Sequence, residues 1–355
     1  RLPAPLIDIS PEVGDWRDHG CLGFTLDPNF LVNGYIYLMY MVDRHHLMNF
    51  GIPGGNYSTA VDEYFAATIM RITRYTAVGP SFNTVNYGSR LVLLGETKKT
   101  GVPNLHESHS TGTLLFGTDG TLLATVGDGA SYNATDVGSD GGTYYAQALA
   151  DSIIRPAENV GALRSQLVNC LNGKLLRIDP ATGDGIPSNP FYDPSEPRAP
   201  KSRVWAMGLR NPFRACLRPG SGSTDPADGD PGTVYIGDVG WNLWEDLNVC
   251  YEGGMNFGWP LYEGLEAHPS YQNASVSNLD APNPLYNGTS CTTPFFNFKD
   301  LLKQDTPIHL NGHPNPCDPM LQIPNTVHKF FHARPAIDWR HGANQARTGI
   351  FNGSV

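Results

Sequence analysis

The chain has 355 residues, a formal net charge of −10 and only 16% charged residues, so it lacks the clustered Lys and Arg that nucleic-acid binding requires. No apolar run approaches the ~18 residues of a transmembrane helix, so we expect no membrane span. The 39 Gly and 29 Pro are spread among apolar runs, which is typical of many short strands and turns.

The six cysteines form no CxxC or CxxCH arrangement, which argues against a zinc ribbon or an attached haem. Their even number fits an exported protein with persistent disulfides, although isolated buried thiols would give the same count. Cys291 and Cys317 flank a loop rich in Pro and Asn and are the pair that we expect to be bridged. No signal peptide precedes Arg1, so we expect a mature or excised product.

The first predicted elements are two strands that form a hairpin. Residues 19–30 contain a strand that leads into an Asp-Pro turn, and residues 34–42 are rich in β-branched and aromatic residues. A polar, Gly-rich inserted loop is expected over residues 43–64. The alternation of apolar and polar residues over 68–75 predicts a half-buried strand, and residues 91–94 predict another short one.

The same pattern returns further along the chain. Residues 112–129 predict two strands around an Asp-Gly turn, and a third copy runs over residues 213–239. Residues 335–341 resemble a partial fourth copy. Between the second and third copies lie a helix-like stretch at 144–154 and a strand at 173–180.

Strand pairs that recur at irregular intervals favour a radial repeat of small sheets, a β-propeller, in which few sheet edges are exposed. A sandwich or a jelly roll is the alternative. The lack of regularly alternating helices argues against a doubly wound α/β fold. We treat residues 1–355 as a single β-propeller domain.

His109 is the first candidate for a catalytic role. It lies in a polar loop, between Ser108 and Ser110, just ahead of a predicted strand. A His side chain suits a general base because its unperturbed pKa is near neutrality. A solvated or turn-capping His would have the same surroundings, and His106 is a competing candidate.

Arg210 and Asn211 stand at the end of an apolar run, where Pro212 prevents further regular pairing. Together they offer a planar cation and an amide that could hold an anionic or quinone-type oxygen. The alternative is that Arg210 braces a loop against a neighbouring carboxylate. Arg334 and Arg340, near the end of the chain, are further candidates for anion contacts.

The segment 238–248 combines a Gly-rich turn with several carboxylates. Backbone carbonyls and acidic side chains are the ligands that Ca2+ prefers, so this segment is a candidate calcium site. The EF-hand pattern is absent, and a capped turn before a strand is the alternative. The chain also lacks a Gly-x-Ser-x-Gly elbow and a phosphate-binding Gly-rich fingerprint, so an α/β-hydrolase is unsupported.

In their order along the chain these motifs resemble the glucose/sorbosone dehydrogenase family. The resemblance covers about residues 7–259, and five segments carry most of it. They are residues 19–30, His109-Ser-Thr-Gly with Gly127-Asp-Gly, Asn172-Gly-Lys, Gly208-Leu-Arg-Asn-Pro-Phe, and Asn256-Phe-Gly-Trp-Pro. The resemblance implies an all-β, six-bladed β-propeller of four-stranded antiparallel blades with long inserted loops. It also implies a quinoprotein that uses pyrroloquinoline quinone (PQQ) and Ca2+.

The resemblance implies a role for each candidate residue. His109 matches the general base that takes the proton of a sugar hydroxyl while hydride passes to PQQ, which Ca2+ polarises. Arg210 and Asn211 match the pair that contacts the quinone oxygens, and the carbonyls of Gly240 and Trp241 match those that hold the Ca2+. The predicted cofactor-binding residues are His19, Arg210, Asn211 and Arg334, and the predicted metal-binding residues are Gly240, Trp241, Glu245 and Asp246.

The resemblance also has departures and alternatives. Family members begin with a further strand set and end with a cationic last blade, so we expect both to lie outside residues 1–355. The acidic residue that often precedes the catalytic His is Ser108 here. A propeller binding module that has lost its cofactor remains an alternative. A Ca2+-dependent lactonase-type propeller would need a ring of Glu, Asn and Asp that the sequence does not clearly show.

The function expected from the sequence is oxidation of a sugar or related alcohol. The resemblance implies transfer of electrons to an acceptor such as a cytochrome or a quinone. We expect a periplasmic or extracellular location. Substrate identity depends on variable loops and is not predicted.

Overall fold

Short strands dominate the structure, a computed structural model that describes residues 4–110, 112–304, 312–342 and 346–348. The α-helices are all short: α1 (Phe30–Asn33), α2 (Arg44–Asn49), α3 (Tyr145–Ala150), α4 (Pro200–Arg203), α5 (Pro269–Asn273) and α6 (Phe298–Leu301). Single 3-10 turns occur at Ser10–Glu12, Pro156–Glu158 and Pro226–Asp228, and a longer one at Gly161–Gln166. None of these helices, within the described ranges, is long and apolar enough to cross a membrane.

Three antiparallel sheets follow one another along the chain. The first contains β1 (Cys21–Leu26), β2 (Tyr35–Met41), β3 (Thr68–Ala77) and β4 (Val85–Leu94) in that order, with β5 (Val102–Asn104) also paired to β3. The second contains β6 (Leu114–Phe116), β7 (Leu122–Val126), β8 (Lys174–Ile178) and β9 (Val204–Met207). The third contains β10 (Arg214–Leu217), β11 (Val234–Asp238), β12 (Trp244–Cys250), β21 (Ile337–Arg340) and β22 (Ala346–Thr348).

The remaining strands form small two-stranded sheets between β12 and β21. These strands are β13 (Tyr262–Glu263) with β14 (Glu266–Ala267), β15 (Ser277–Pro282) with β16 (Phe295–Asn297), β17 (Leu302–Lys303) with β20 (Phe330–Phe331), and β18 (Pro314–Asn315) with β19 (Asp318–Gln322). The segment between the third and fourth strands of the third sheet is therefore a long insertion.

Consecutive sheets pack face to face. Met39 and Ile72 of the first sheet share a buried core with Leu122 and Leu176 of the second. On the opposite side of the second sheet, Leu175 packs in a separate core with residues of the third sheet. Each of the two joints is apolar, so the sheets stack as successive blades of a propeller.

The predicted hairpins and most predicted strands are confirmed. The strand expected over 68–75 is β3, and the one expected over 91–94 is the end of the longer β4. The predicted four-stranded blade is found in the second sheet, whereas the first and third sheets have five strands. The described residues contain three such blades, so the six-bladed ring remains a prediction.

Residues 335–341 are not a fourth copy of the strand pair, as their sequence suggested. Their strand, β21, pairs with β12 in the register Trp244↔Arg340 to Leu247↔Ile337 and so extends the third sheet. The prediction was wrong because it counted only neighbours in sequence, and this pairing crosses the long insertion. Two smaller differences are that the helix expected over 144–154 is only α3, and that the loop expected over 43–64 contains α2.

The predicted bridge between Cys291 and Cys317 is confirmed. It lies within the insertion. The other four cysteines, Cys21, Cys170, Cys216 and Cys250, are free, and none of them is in the CxxC spacing of a redox pair.

A buried ion pair fixes the turn of the second blade. Arg177 of β8 donates from Nη2 to Asp119 Oδ2 at 2.6 Å, and neither side chain is exposed. Arg177 also donates to Ser188 Oγ and Asn189 Oδ1, so its charge is fully engaged. Removing one member of a buried pair is costly because the other charge stays behind without compensation.

We therefore expect Asp119→Ala to lower the free energy of unfolding by about 3–5 kcal/mol. The control is Asp184→Ala, which breaks the part-exposed pair with Arg198 at 2.9 Å. That change should cost less than about 1 kcal/mol. Urea titrations followed by tryptophan fluorescence measure both, and equal losses in the two variants would contradict the special role of the buried pair.

Candidate functional site

His109 is held in a strained loop that leads from the first blade to the second. Its backbone has a φ of 57°, in the left-handed region that non-glycine residues rarely adopt. The loop lies against Gly127, at the end of β7, so closely that a Cβ at Gly127 would overlap the His109 carbonyl. The absence of a side chain at residue 127 is therefore what allows His109 to reach its position.

The imidazole of His109 is oriented by Asp128. Nδ1 lies 2.9 Å from Asp128 Oδ1, and the other carboxylate oxygen accepts from Trp259 Nε1 at 2.7 Å. Burial alone would raise the pKa of Asp128, but His109 and Arg210 hold it below its ordinary value. An ionised carboxylate only accepts, so Nδ1 carries the proton and Nε2 carries the lone pair.

The other ring nitrogen, Nε2, makes no hydrogen bond with any residue that the structure describes. Burial and the charge of Arg210 lower the pKa of His109 below 6.5, and the opposing effect of Asp128 is smaller. The ring is therefore neutral near pH 6.5 and above. A buried, neutral imidazole with an available lone pair is the arrangement that a general base requires.

Arg210 lies beside this pair. Its Nη1 donates to the carbonyls of Val239 at 2.9 Å and Gly240 at 2.7 Å, and its guanidinium lies 5.2 Å from the centre of the Trp259 ring. Its Nε is buried and has no hydrogen-bond partner within the described ranges. The guanidinium thus rests on backbone carbonyls, which leaves its charge without a partner carboxylate among the described residues.

The backbone at Arg210 and Asn211 is fixed by Asp238. Its two carboxylate oxygens accept from the N–H groups of Arg210 at 3.0 Å and Asn211 at 2.7 Å. The carbonyl of Arg210 in turn accepts from the N–H of Asp128 at 2.8 Å. Arg210 is therefore tied to the residue that orients His109. The amide side chain of Asn211 makes no hydrogen bond with a described residue.

Gly240 and Trp241 form the turn between β11 and β12. The Gly240 carbonyl accepts from Arg210, whereas the Trp241 carbonyl accepts no hydrogen bond from the part of the chain that the structure describes. Trp241 Nε1 donates to the carbonyl of Tyr132 at 2.8 Å, and the Tyr132 ring lies 6.3 Å from that of His109. The structure thus brings Gly240, Trp241, Arg210 and His109 into one neighbourhood.

Glu245 and Asp246 are placed differently. They are adjacent in β12 and so project from opposite faces of the strand. Glu245 Oε2 accepts from the Gly240 N–H at 2.9 Å and Oε1 lies 2.8 Å from His341 Nε2, while Asp246 Oδ2 accepts from the Gly264 N–H at 3.2 Å. Among the described residues no group of three or more His, Cys, Asp or Glu side chains is arranged to hold a metal ion.

Asp246 belongs to a row of aspartates across the third blade. It faces Asp238 on one side and Asp338 on the other in the strand register. Burial, followed by the charges of its neighbours, raises the pKa of Asp246 well above its ordinary value, and burial raises that of Asp238 to about 7. The row serves mainly to hold loop N–H groups at this end of the blade.

His19 lies behind the His109 loop. Its Nε2 is 3.3 Å from the His106 carbonyl, its ring packs on Trp16 at 4.1 Å, and burial lowers its pKa to about 4. His106, the competing candidate base, uses Nδ1 with Ser108 Oγ at 3.2 Å. Within the described part of the chain, no acid is paired with His106 in the way that Asp128 is paired with His109.

Arg334 lies near the loop that carries Trp259. Burial, with a contribution from the charge of Arg334, lowers the pKa of His332 to about 3. His332 contacts that loop through Nε2, 3.2 Å from the Phe257 carbonyl, and its ring stacks on Tyr262 at 4.7 Å. Arg334 is thus close to a residue that contacts the same loop.

Comparison with known proteins assigns the chain to a family. The family described as Glucose / Sorbosone dehydrogenase matches residues 3–294. The chain belongs to the glucose/sorbosone dehydrogenase family. With this membership, the stacked blades are those of an all-β propeller.

Individual relatives of this glucose/sorbosone dehydrogenase family member are distant. The HIPL1 protein of Arabidopsis thaliana is 23% identical over 316 residues, which are 80% of this chain and 39% of that protein. Quinoprotein glucose dehydrogenase B of Acinetobacter calcoaceticus is 23% identical over 269 residues, which are 75% of this chain and 45% of that protein. The chain therefore spans less than half of the length of these curated relatives.

Among solved structures, the PQQ-bound form of the aldose sugar dehydrogenase of Streptomyces coelicolor is similar. It is 21% identical with a TM-score of 0.44, and the match covers 72% of this chain and 52% of that one. The apo form of the soluble aldose sugar dehydrogenase of Escherichia coli is 20% identical with a TM-score of 0.45, over 73% of this chain and 54% of that one.

The residues around His109 fit a group with anionic oxygens and a bound cation. Arg210 Nε is a buried donor without a partner among the described residues, and Arg210 belongs to the predicted cofactor-binding set. Nδ1 of His19, another member of that set, is also without a partner there, but it is an acceptor, because Nε2 of the neutral ring donates to the His106 carbonyl. The carbonyls of Gly240 and Trp241 are oxygen donors of the kind that Ca2+ prefers. Both oxygens of Glu245 have partners, whereas the Trp241 carbonyl accepts from no described residue and the Gly240 carbonyl accepts only from Arg210, so the carbonyls suit a cation better than this carboxylate does.

Asp128 and Trp259 are the site residues to which sequence reasoning assigned no role. Asp128 stands in the motif Gly127-Asp-Gly, immediately after a predicted strand, and this position was a usable signal. Trp259 lies in the Gly-punctuated segment that follows β12. Ser108 stands where an acidic residue often precedes the catalytic His, and the acid that orients His109 comes from residue 128 instead.

The environment of His109 makes its titration predictable. We expect its pKa to lie below 6.5, with the proton on Nδ1 of the neutral ring. Arg210→Gln removes a nearby positive charge, so it should raise this pKa, whereas Arg214→Gln, at an exposed site, should not. NMR titration of the His109 ring measures its pKa in the unsubstituted chain and in the two variants. A pKa above 6.5 in the unsubstituted chain would contradict the neutral, buried base.

Proposed function

We propose that this chain forms part of a quinoprotein oxidoreductase that oxidises a hydroxyl group of a sugar or related alcohol with PQQ and Ca2+. The observation that carries the proposal is the buried His109–Asp128 pair beside the unpaired charge of Arg210. Membership of the glucose/sorbosone dehydrogenase family supports the same reaction class.

His109 acts as the general base. Its Nε2 takes the proton of the substrate hydroxyl, and the adjacent carboxylate of Asp128 stabilises the imidazolium that forms. Burial of the pair keeps water from competing for this proton. Arg210 and Asn211 would stabilise negative charge on the oxygens of the electron acceptor, since the Nε of Arg210 and the amide of Asn211 have donors to offer.

The cofactor would be held by His19, Arg210, Asn211 and Arg334, and its cation by the carbonyls of Gly240 and Trp241. When bound, PQQ supplies a two-electron acceptor and Ca2+ supplies a Lewis acid. Glu245 and Asp246 would contribute to the cation site through the turn that they support rather than as a joint ligand set. A cytochrome or quinone would then receive the electrons.

The proposed location is periplasmic or extracellular. The bridge between Cys291 and Cys317 supports it, because disulfides persist in oxidising compartments.

Reconstitution tests the function directly. Adding PQQ and CaCl2 to the protein should allow reduction of a redox dye by aldoses, and neither addition alone should suffice. Failure to bind PQQ at any Ca2+ concentration would overturn the proposal and favour a propeller that binds a partner without redox chemistry.

We expect His109→Gln to lower kcat by about 10²- to 10⁴-fold, because a positioned general base contributes about that factor. PQQ binding, followed by its absorbance, should change little. His328→Gln is the control, since His328 packs on Phe191 and not at the His109 loop. Equal activity of His109→Gln and the unsubstituted protein would rule out this base.

Asp128→Asn should also lower kcat, by about 10²- to 10⁴-fold, with little change in KM. The amide keeps the shape of the carboxylate but no longer stabilises a protonated His109. Asp136→Asn provides the matched control, because Asp136 is also buried but accepts from the N–H of Ser131 at 3.1 Å instead. Steady-state kinetics with a saturating dye compare kcat in the two variants. An unchanged kcat in Asp128→Asn would contradict the role of the His109–Asp128 pair.

A further inference from the structure

A buried carboxylate lies beneath the turn that carries Gly240 and Trp241. Glu263, in β13, is 2% exposed. Its Oε1 accepts from four successive backbone N–H groups, at 2.5 Å, 3.0 Å, 3.2 Å and 3.4 Å, which belong to Trp241, Asn242, Leu243 and Trp244. A single carboxylate oxygen therefore accepts hydrogen bonds from four consecutive N–H groups of the turn.

Because each peptide unit is planar, these hydrogen bonds to the N–H groups also fix the direction of the carbonyl groups. In a trans peptide the N–H and the C=O of the same unit point in opposite directions. The N–H groups of Trp241 and Asn242 belong to the units whose carbonyls are those of Gly240 and Trp241. Because both N–H groups face Glu263, both carbonyls face away from it.

The far side of the turn is the side of the functional site. There the Gly240 carbonyl accepts from Arg210 Nη1 at 2.7 Å, and Arg210 lies next to the His109–Asp128 pair. The carboxylate and the two carbonyls thus lie on opposite faces of the same two peptide units. A negative charge on the N–H face also polarises each peptide, which makes its carbonyl oxygen a better ligand for a cation.

The turn has little freedom to adopt another shape. A Cβ at Gly240 would overlap the Trp244 carbonyl, so the chain is closely folded at this point. Glu245, in β12, accepts a hydrogen bond from the Gly240 N–H at 2.9 Å. The second oxygen of Glu263 lies 3.5 Å from His268 Nε2, and the His268 ring stacks on Trp241 with centroids 5.3 Å apart.

We propose that Glu263 is a positioning residue that aims and polarises the carbonyls of Gly240 and Trp241 toward a divalent cation. This inference rests on the proposed function, because it takes that cation to be the Ca2+ that accompanies the quinone cofactor. Glu263 itself does not touch the cation. It lies on the opposite face of the peptides that do.

The test combines a readout of the turn with a readout of the cation. Hydrogen–deuterium exchange of residues 240–244 reports on the turn in the absence of any cofactor. Calorimetric titration of PQQ at increasing CaCl2 concentration gives the Ca2+ concentration needed for half-maximal cofactor binding. The variants are Glu263→Ala, which removes the acceptor, and Glu263→Gln, which keeps one acceptor oxygen without the charge.

We expect Glu263→Ala to lose amide protection in the turn and to need about 10- to 100-fold more Ca2+, the range that the loss of an outer-sphere partner produces. Glu263→Gln should keep most of the protection and need measurably more Ca2+ than the unsubstituted chain, by less than about 10-fold. Glu252→Ala, at an exposed site just beyond β12, should match the unsubstituted chain in both readouts. Circular dichroism establishes that each variant is folded before it is titrated.

Three outcomes of the experiment have different meanings. If the unsubstituted chain binds PQQ with Ca2+ and neither Glu263 variant needs more Ca2+ than the unsubstituted chain, only the positioning role is overturned. If Glu263→Ala does not fold, Glu263→Gln alone decides, and an unchanged Ca2+ requirement in it overturns the role. If the unsubstituted chain does not bind PQQ at any Ca2+ concentration, the proposed function is overturned and this inference with it.

Discussion

The carboxylate of Asp128 is the point at which separate parts of the chain meet. Through its side chain it holds His109 from the loop before the second blade and Trp259 from the insertion between β12 and β21 of the third. Through its backbone N–H it holds Arg210, at the link between the second and third blades. A single buried anion therefore aligns the base, a cation and an aromatic wall, and His109 and Arg210 lower the pKa of the carboxylate despite its burial.

Carboxylates at the end of the third blade that lies beside His109 also hold backbone groups in place. Asp238, Glu245 and Glu263 all accept from backbone N–H groups of turns. Turns at the end of a strand leave N–H groups without partners, and a buried acceptor satisfies several of them at once. Acidic residues that resembled metal ligands in the sequence thus serve largely as supports, and the oxygen atoms left for a cation are backbone carbonyls.

Much of the fold was predictable because it depends on local patterns. The hairpins β1–β2 and β6–β7 follow from alternation and turn residues, both of which act between neighbours in sequence. The place of residues 335–341 was not predictable in this way, because β21 pairs with β12 across the long insertion. Alternation identifies a strand but does not name its partner.

The same limit applies to the site. His109 and Arg210 could be chosen from residue type and order, whereas the pairing of His109 with Asp128 depends on the close contact at Gly127. The Glu263 contacts were equally hidden, since a carboxylate that accepts from backbone N–H groups leaves no pattern of side-chain types. The sequence identifies side chains that could react. Only the tertiary structure shows which neighbouring groups orient those side chains.

The late arrival of β21 has a consequence for the order of assembly. On a ribosome, β10, β11 and β12 emerge well before residues 337–340, so the outer edge of β12 waits without its partner while the insertion is made. An unpaired edge is a site for mispairing with other chains. The small sheets and the bridged loop of the insertion can form in this interval, since their contacts are local. The edge of β12 is thus open to mispairing until β21 is made.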